Sequence, residues 1–419
     1  MIISGTANLP LHPGRVPSFI TDRIGDMGSA VIESVIEHQG KSEALTRLSD
    51  PAWLQSLGAL SGFQWNSSGL ATVLLGSIRR KMNPRARETG IYFLGGKGRR
   101  VGRLKSQILR VSDAHGLDGD QLARSCRLIR RVEDNAIQDQ FSNYMQYFVV
   151  SDEGQWINIS QGMRLDTRRA RRYHSRQDSV RSFVSSPHHA IIDRQGQPIL
   201  NLADSRVVDT QNNIVQMVQD GPADVIQACR HIDFGDYHHP RKGDVDTRKL
   251  GAVLAMAHGR HIEDFESLVD LKGIGPNSLR SLALASELIF GSSAECRDPA
   301  RFAFASGGKD GIGGGGPLDL DAMDNTIQHL QQSVEQSRLG FRDQSKALKN
   351  LQRATKHIEK TLAPIADIEE FENAAWKHAE QNGGYTFLGR VSRIPGLTRT
   401  IFSLGTSMLY RGKRGRRQS

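Results

Sequence analysis

YMQYFVVSDEGQWINISQGM, residues 144–163, decides the class of fold. Two runs rich in Tyr, Phe, Val, Ile and Trp flank SDEGQ, and Gly154 falls in the connection. Aromatic and β-branched side chains suit a pleated, buried surface, and glycine supplies the turn. The stretch therefore predicts an antiparallel hairpin in the middle of the chain.

On the N-terminal side the period changes from two to between three and four. In SFITDRIGDMGSAVIESVIEHQG, Ile20, Ile24, Met27, Val31 and Val35 share one helical face, with Ser18 expected to cap its start and Gly40 its end. SEALTRLSDPAWLQSLGALSGF repeats the pattern, and SSGLATVLLGSIRRKMNP predicts a third helix stopped at Asn83-Pro84. IYFL (91–94) reads as a short buried strand running into GGKGRRVGRLKSQILR. There Lys97, Arg99, Arg100, Arg103, Lys105 and Arg110 face no acid. On the C-terminal side, SSPHHAIIDRQGQPILNLADS predicts a further turn and strand, and residues 246–291 return to helix. The run SGGKDGIGGGGPLDL is dense in glycine and reads as a linker. Beyond it, apolar residues at seven-residue spacing, among them Ile327, Leu330, Val334, Phe341 and Leu362, predict a long helix. It is either a coiled coil or an amphipathic helix laid on the main body.

The chain has 419 residues, with 55 Lys and Arg against 45 Asp and Glu, so the formal charge is +10. That balance favours a polyanionic partner. The three cysteines, Cys126, Cys229 and Cys296, stand far apart and form no CxxC pair, which argues against a thiolate zinc site and fits a reducing compartment. The first residues lack the apolar core of a signal peptide, and no run approaches the roughly 18 apolar residues of a membrane span. The location expected is cytoplasmic, without a membrane.

Within LVDLKGIGPNSLRSLALASELIFG (268–291), Gly273 and Gly275 are expected to form a tight turn and Pro276 to open a helix. Asn277 and Ser278 would stand at that helix N-terminus, where free N–H groups suit a phosphate, with Lys272 beside them. The segment resembles the helix-hairpin-helix, a sequence-independent DNA-binding module. The usual pattern has a small residue at position 279, where this chain has Leu. An ordinary helical hairpin packed in a core is the plainer reading.

A second resemblance spans about residues 4–311. GTANLPLHPGRVP, LSDPAWLQSLG, WNSSGLATV, GIYFLGGKGRR, GQWINISQGM, RYHS, PHHAI and DPARFAFASGGKDG occur in order. Together they resemble the domain-of-unknown-function family 763 of bacteria and archaea, a resemblance that implies no activity.

The fold class expected is α+β. It has a helical N-terminal part, a central antiparallel β region, and a helical C-terminal part with a helix-hairpin-helix and a long amphipathic helix. The expected divisions are a mixed core at 1–245, a helical region at 246–305, a linker at 306–320, the long helix at 321–363 and a basic extension at 364–419.

Polar groups gather in the central block. His174, His188, His239, Asp134 and Gln161 are the catalytic candidates, and His188, Asp193 and His238 the metal-binding ones. Imidazole and carboxylate together suit a divalent metal, Mg or Mn, and a metal beside a phosphate suits hydrolysis. Their spacing matches no HExxH pattern, and GGKG and GGKDG complete no GxxxxGK[ST] loop, so no nucleotide cofactor is expected. Phosphate contacts are expected from Lys97, Arg99, Arg100, Arg168, Arg169, Arg171 and Arg172, and from the hairpin. The leading expectation is a metal-dependent DNA-processing enzyme, a nuclease of repair or defence, acting on single- or double-stranded DNA with little sequence preference. The alternatives are a DNA-binding module without catalysis, whose long helix dimerises through residues 327–362 or recruits partners, and an RNA- or nucleotide-modifying enzyme.

Overall fold

The computed structural model describes residues 9–11, 16–61, 68–193, 199–223, 225–226, 247–296 and 298–300, parts of 328–349, and 385–386 and 389–390. It is a mixed α and β protein built around one antiparallel sheet, as the central hairpin predicts.

That hairpin is β4 (Ser142–Ser151) and β5 (Trp156–Arg164), joined through Gly154 at φ 85°. β2 (Ile91–Lys97) pairs with the outer side of β4, and β6 (Arg169–Arg176) with β5. Beyond β6 lie β1 (Leu9–Pro10) and β7 (Ala190–Ile192), which both pair with it. A smaller sheet takes β3 (Ile137–Gln138), β8 (Ile199–Asn201) and β9 (Glu295–Cys296) in the order β3-β8-β9.

Both faces of the large sheet are covered. One carries α1 (Ser18–Gln39), α2 (Lys41–Ser49), α3 (Pro51–Leu60) and α4 (Ser68–Met82). Their Val31, Leu48, Leu57 and Leu74 join Phe93, Tyr147, Val149, Ile157 and Ile159 in one core. The other face carries α6 (Leu104–His115) and α7 (Gly119–Arg131), which follow a short α5 (Ala86–Thr89). There Ile108, Leu122 and Ile129 meet Leu94, Phe148, Val150 and Trp156. Coverage on both sides explains why β4 is buried from Met145 to Ser151 and reads as a continuous apolar run.

The expected face of α1 is the buried one: Ile24, Met27, Val31 and Val35 are all buried. Ser18 is its first helical residue, not its cap, and Gly40 ends it. The second expected helix is two, because Asp50-Pro51 breaks it. The Asp50 carboxylate then accepts from the Trp53 N–H at 2.8 Å and caps α3.

A third core joins α8 (Val208–Asp220), α9 (Thr247–His258), α10 (Phe265–Asp270) and α11 (Pro276–Phe290) to the smaller sheet. It mixes Val132, Ala136 and Ile214 with Leu254, Leu268 and Leu282, so residues on both sides of the expected division at 245 share one core.

Past residue 328 the described residues do not form one continuous helix. A turn at Gln336 and a bend at Ser337 separate helical residues 332–335 from those that resume at 341. Leu330, Val334 and Ala347 pack into the chain's own α1–α4 core, while Phe341 stands 83% exposed. Much of the expected dimer stretch, and His238 and His239, lie outside the described residues. No described helix is long and apolar enough to cross a membrane.

Candidate functional site

Side chains alternate across a sheet, so neighbours in β5 and β6 look in opposite directions. The sheet thus separates the expected catalytic set. Gln161 faces the α1–α4 side, where its amide donates to the Ser68 carbonyl (3.1 Å) and to the Tyr144 hydroxyl, and its oxygen accepts from Arg172 Nε (3.2 Å). His174 faces the same side. Its Nδ1–H donates to the Ser49 carbonyl at the end of α2 (2.8 Å), an oxygen that also accepts from His189 Nε2 (2.9 Å). Burial, then the charges of His189 and Arg172, hold the His174 pKa well below the ordinary imidazole value, and its buried Nε2 has no hydrogen-bond partner.

His188 lies across the sheet with a residue outside the expected catalytic set, Glu133. The Glu133 carboxylate takes Ser160 Oγ (2.6 Å) and His188 Nε2 (3.1 Å) on Oε1, and Asn143 Nδ2 (2.7 Å) on Oε2. Three local departures from regular backbone meet on this group. Glu133 lies in a π-helical segment, Val132–Ala136, that continues α7. Asn143 stands where the β4–β5 register shifts. Ser186, two residues before His188, holds φ at 52° ahead of Pro187. π-turns, bulges and strained residues concentrate at functional sites. Donation to Glu133 places a hydrogen on His188 Nε2, while Nδ1 makes no hydrogen bond. Asp134, one residue on, caps the bulge instead: it accepts from the Asn143 N–H (3.0 Å) and Arg130 (3.2 Å), and burial raises its pKa.

A sequence signal for Glu133 exists. Leu122, Cys126 and Ile129 form the buried stripe of α7, and Glu133 is the next position on it. An acid on an apolar stripe predicts a buried, hydrogen-bonded carboxylate.

The Arg-rich segment corrects the expectation of a cationic surface. Arg171 is 2% exposed and held by Asp139 (3.0 Å), Asp193 (3.3 Å) and Asp298 (2.7 Å), with the Phe141 ring 4.6 Å from its guanidinium carbon. Burial works against its charge, yet the surrounding carboxylates keep its pKa above the usual value. Tyr173 donates to Asp139 (2.6 Å), whose own pKa burial raises. Arg169 pairs with Asp193 at 2.6 Å, and Arg172 is 1% exposed. Arg171 and Arg172 are thus closed off from a nucleic-acid backbone, Arg169 is half-buried and paired, and Arg168 alone of the four stands exposed, in a turn at φ 50°. Asp193 therefore neutralises arginines and does not meet His188, and no three His, Cys, Asp or Glu among the described residues could hold a metal ion.

The strip after β2 does face solvent. Lys97 at the end of β2, Arg99, Arg100 and Arg103 on a 3-10 segment, Gly98–Arg103, and Lys105 and Arg110 on α6 behind it are all exposed. None of the six pairs with an acid among the described residues. In the hairpin, Lys272 and Asn277 are exposed and Ser278 half-buried at the start of α11, whose first turn has no side-chain cap. Only one glycine of the turn needs to be glycine. Gly273 has φ 102°, whereas Gly275 is extended at −123° with open space around it. Arg131 secures the hairpin by donating to the carbonyls of Val269 (3.0 Å), Leu271 (3.2 Å) and Ile274 (3.3 Å). Leu279, where a small residue is usual, is fully buried in the third core.

A cleft of about 510 Å³ beside α8 is lined by Gln211, Gln216, Gln219, Glu263, Asp264 and Glu266 among others, with no basic residue, and so suits no polyanion. Residues 5–313 match the model of a family described as "Protein of unknown function (DUF763)". No curated protein and no solved structure matches the chain.

Proposed function

The chain belongs to the DUF763 family, and from its surface we propose that it binds nucleic acid through the phosphate backbone. The observation that carries this reading is the strip of six exposed cations at 97–110 without an acidic partner among the described residues. Cations left unpaired on a glycine-turned segment gain most from a polyanion, because phosphate contacts release counterions. The uncapped start of α11, with Lys272, Asn277 and Ser278, supplies a second contact. Neither feature reads bases, so binding has little sequence preference. Fluorescence anisotropy with single- and double-stranded DNA tests it. Affinity should fall steeply between about 50 and 200 mM salt, and no binding to either at the lower salt would sink the proposal.

A DNA-processing reaction is the second reading, favoured by the Glu133–His188 pair. The carboxylate orients the imidazole, whose Nδ1 makes no hydrogen bond and is the ring atom that a substrate would meet. Incubation with both DNA forms and with RNA, in Mg or Mn, tests it. Strand cleavage that Glu133→Gln and His188→Gln abolish, without loss of binding, supports catalysis. Binding with no cleavage of any substrate leaves the non-enzymatic reading.

A further inference from the structure

The basic strip borders a group of polar side chains, set between two glycines, that its exposed cations do not explain. Tyr147 of β4 is 2% exposed, yet its hydroxyl makes no hydrogen bond. Buried phenols ordinarily find a partner. A Cβ on Gly76 would stand 3.1 Å from that oxygen, and one on Gly96 3.7 Å. The hydroxyl therefore sits in space that two absent side chains leave between α4 and the end of β2. Arg79, one turn after Gly76, has a buried Nε without a hydrogen-bond partner. Arg100 folds back over Gly96, its Cδ 3.2 Å from where the Cβ would be.

Neither Arg79 nor Arg100 pairs with an acid among the described residues. Burial, and next the charge of Arg100, depress the Arg79 pKa, and burial pushes Tyr147 up to about 12. The phenol thus remains a donor at neutral pH. Two guanidiniums that repel each other, one of them with a buried Nε that lacks an acceptor, carry an energetic cost that an anion removes.

We propose that Gly76, Arg79, Gly96, Arg100 and Tyr147 form a seat for a single phosphate group, the terminal phosphomonoester of a nucleic-acid strand. A backbone phosphodiester continues on both sides and lies along a surface. A terminal phosphate has three free oxygens and nearly two charges, so it can balance two guanidiniums. The proposal rests on the nucleic-acid reading and adds that the protein recognises a strand end.

The test compares oligonucleotides of one sequence, ending in a 5′-phosphate, a 3′-phosphate or hydroxyls alone, bound to the full chain. One phosphorylated end should bind about tenfold tighter than the hydroxyl-ended strand, the effect of one charge-assisted contact. Tyr147→Phe should reduce that ratio to near one and leave hydroxyl-ended binding unchanged. Gly76→Ala, which places a methyl beside the hydroxyl, should do the same and serves if the Phe variant folds poorly. Arg99→Glu with Arg103→Glu should weaken all three strands and keep the ratio. Equal affinity for all ends in the wild type overturns the seat and leaves the strip standing. If no strand binds, but inorganic phosphate raises the unfolding temperature of the wild type and not of Tyr147→Phe, a phosphate seat survives and the strand-end assignment falls with the nucleic-acid reading. If phosphate has no such effect either, both proposals fall.

Discussion

At the scale of single residues, burial decides what a charge can do. Arg171 sits among Asp139, Asp193 and Asp298 with only 2% of its surface exposed. Removing the cation strands three buried carboxylates. Arg171→Met should therefore cost about 3–5 kcal/mol in a denaturant titration, and Arg168→Met, at an exposed turn, close to nothing. His174 and His189 make the opposite case, since both are held neutral. Burial puts their folded pKa values below the 6.5 of free imidazole. As pH falls past that value the unfolded chain takes up protons first. Their contribution is full above about 6.5 and is lost as the pH drops through the folded values. Asp134 and Asp139, raised above 3.8, work in the other direction on acidification. His189→Gln should thus flatten the loss of stability between about pH 7 and 5. An unchanged slope would show that His189 titrates alike in both states.

At the scale of elements, three glycines test how the chain shapes its turns. Gly95 holds φ 85° where β2 meets β4, and a Cβ there would lie 2.3 Å from the Gln146 carbonyl oxygen. Gly95→Ala should destabilise the protein by about 1–3 kcal/mol by thermal unfolding. In the hairpin, Gly273→Val should both destabilise α11 and weaken DNA binding. Gly275→Ala should fold normally, because its backbone is extended and its surroundings open. A loss of affinity in that folded variant reads the phosphate contact directly, and equal affinity returns the hairpin to a purely structural role.

At the scale of the molecule, the strip predicts the ionic behaviour. If its six cations all meet phosphates, the slope of log affinity against log salt on duplex DNA approaches about −5. Each Lys or Arg changed to Gln should flatten that slope by about one. A slope near zero, with affinity retained, would mean that the strip lies away from the bound strand.

The sequence by itself determined the α+β class, the central hairpin, the helical N-terminal face and the exposed strip. Each follows from local chemistry: periodicity, a glycine turn, or a run of cations with no acid in reach. Other features needed the tertiary structure. The seven arginines of 164–181 look like one basic surface in sequence, but the alternation of β6 and the acids at 139, 193 and 298 turn part of that run into buried ion pairs. His174 and His188 look like one site, yet the sheet lies between them. Glu133 is one residue from the expected Asp134, and Ser160 one from Gln161. In a helix or a strand, a shift of one residue changes the face, and only the packed structure says which face meets the imidazole.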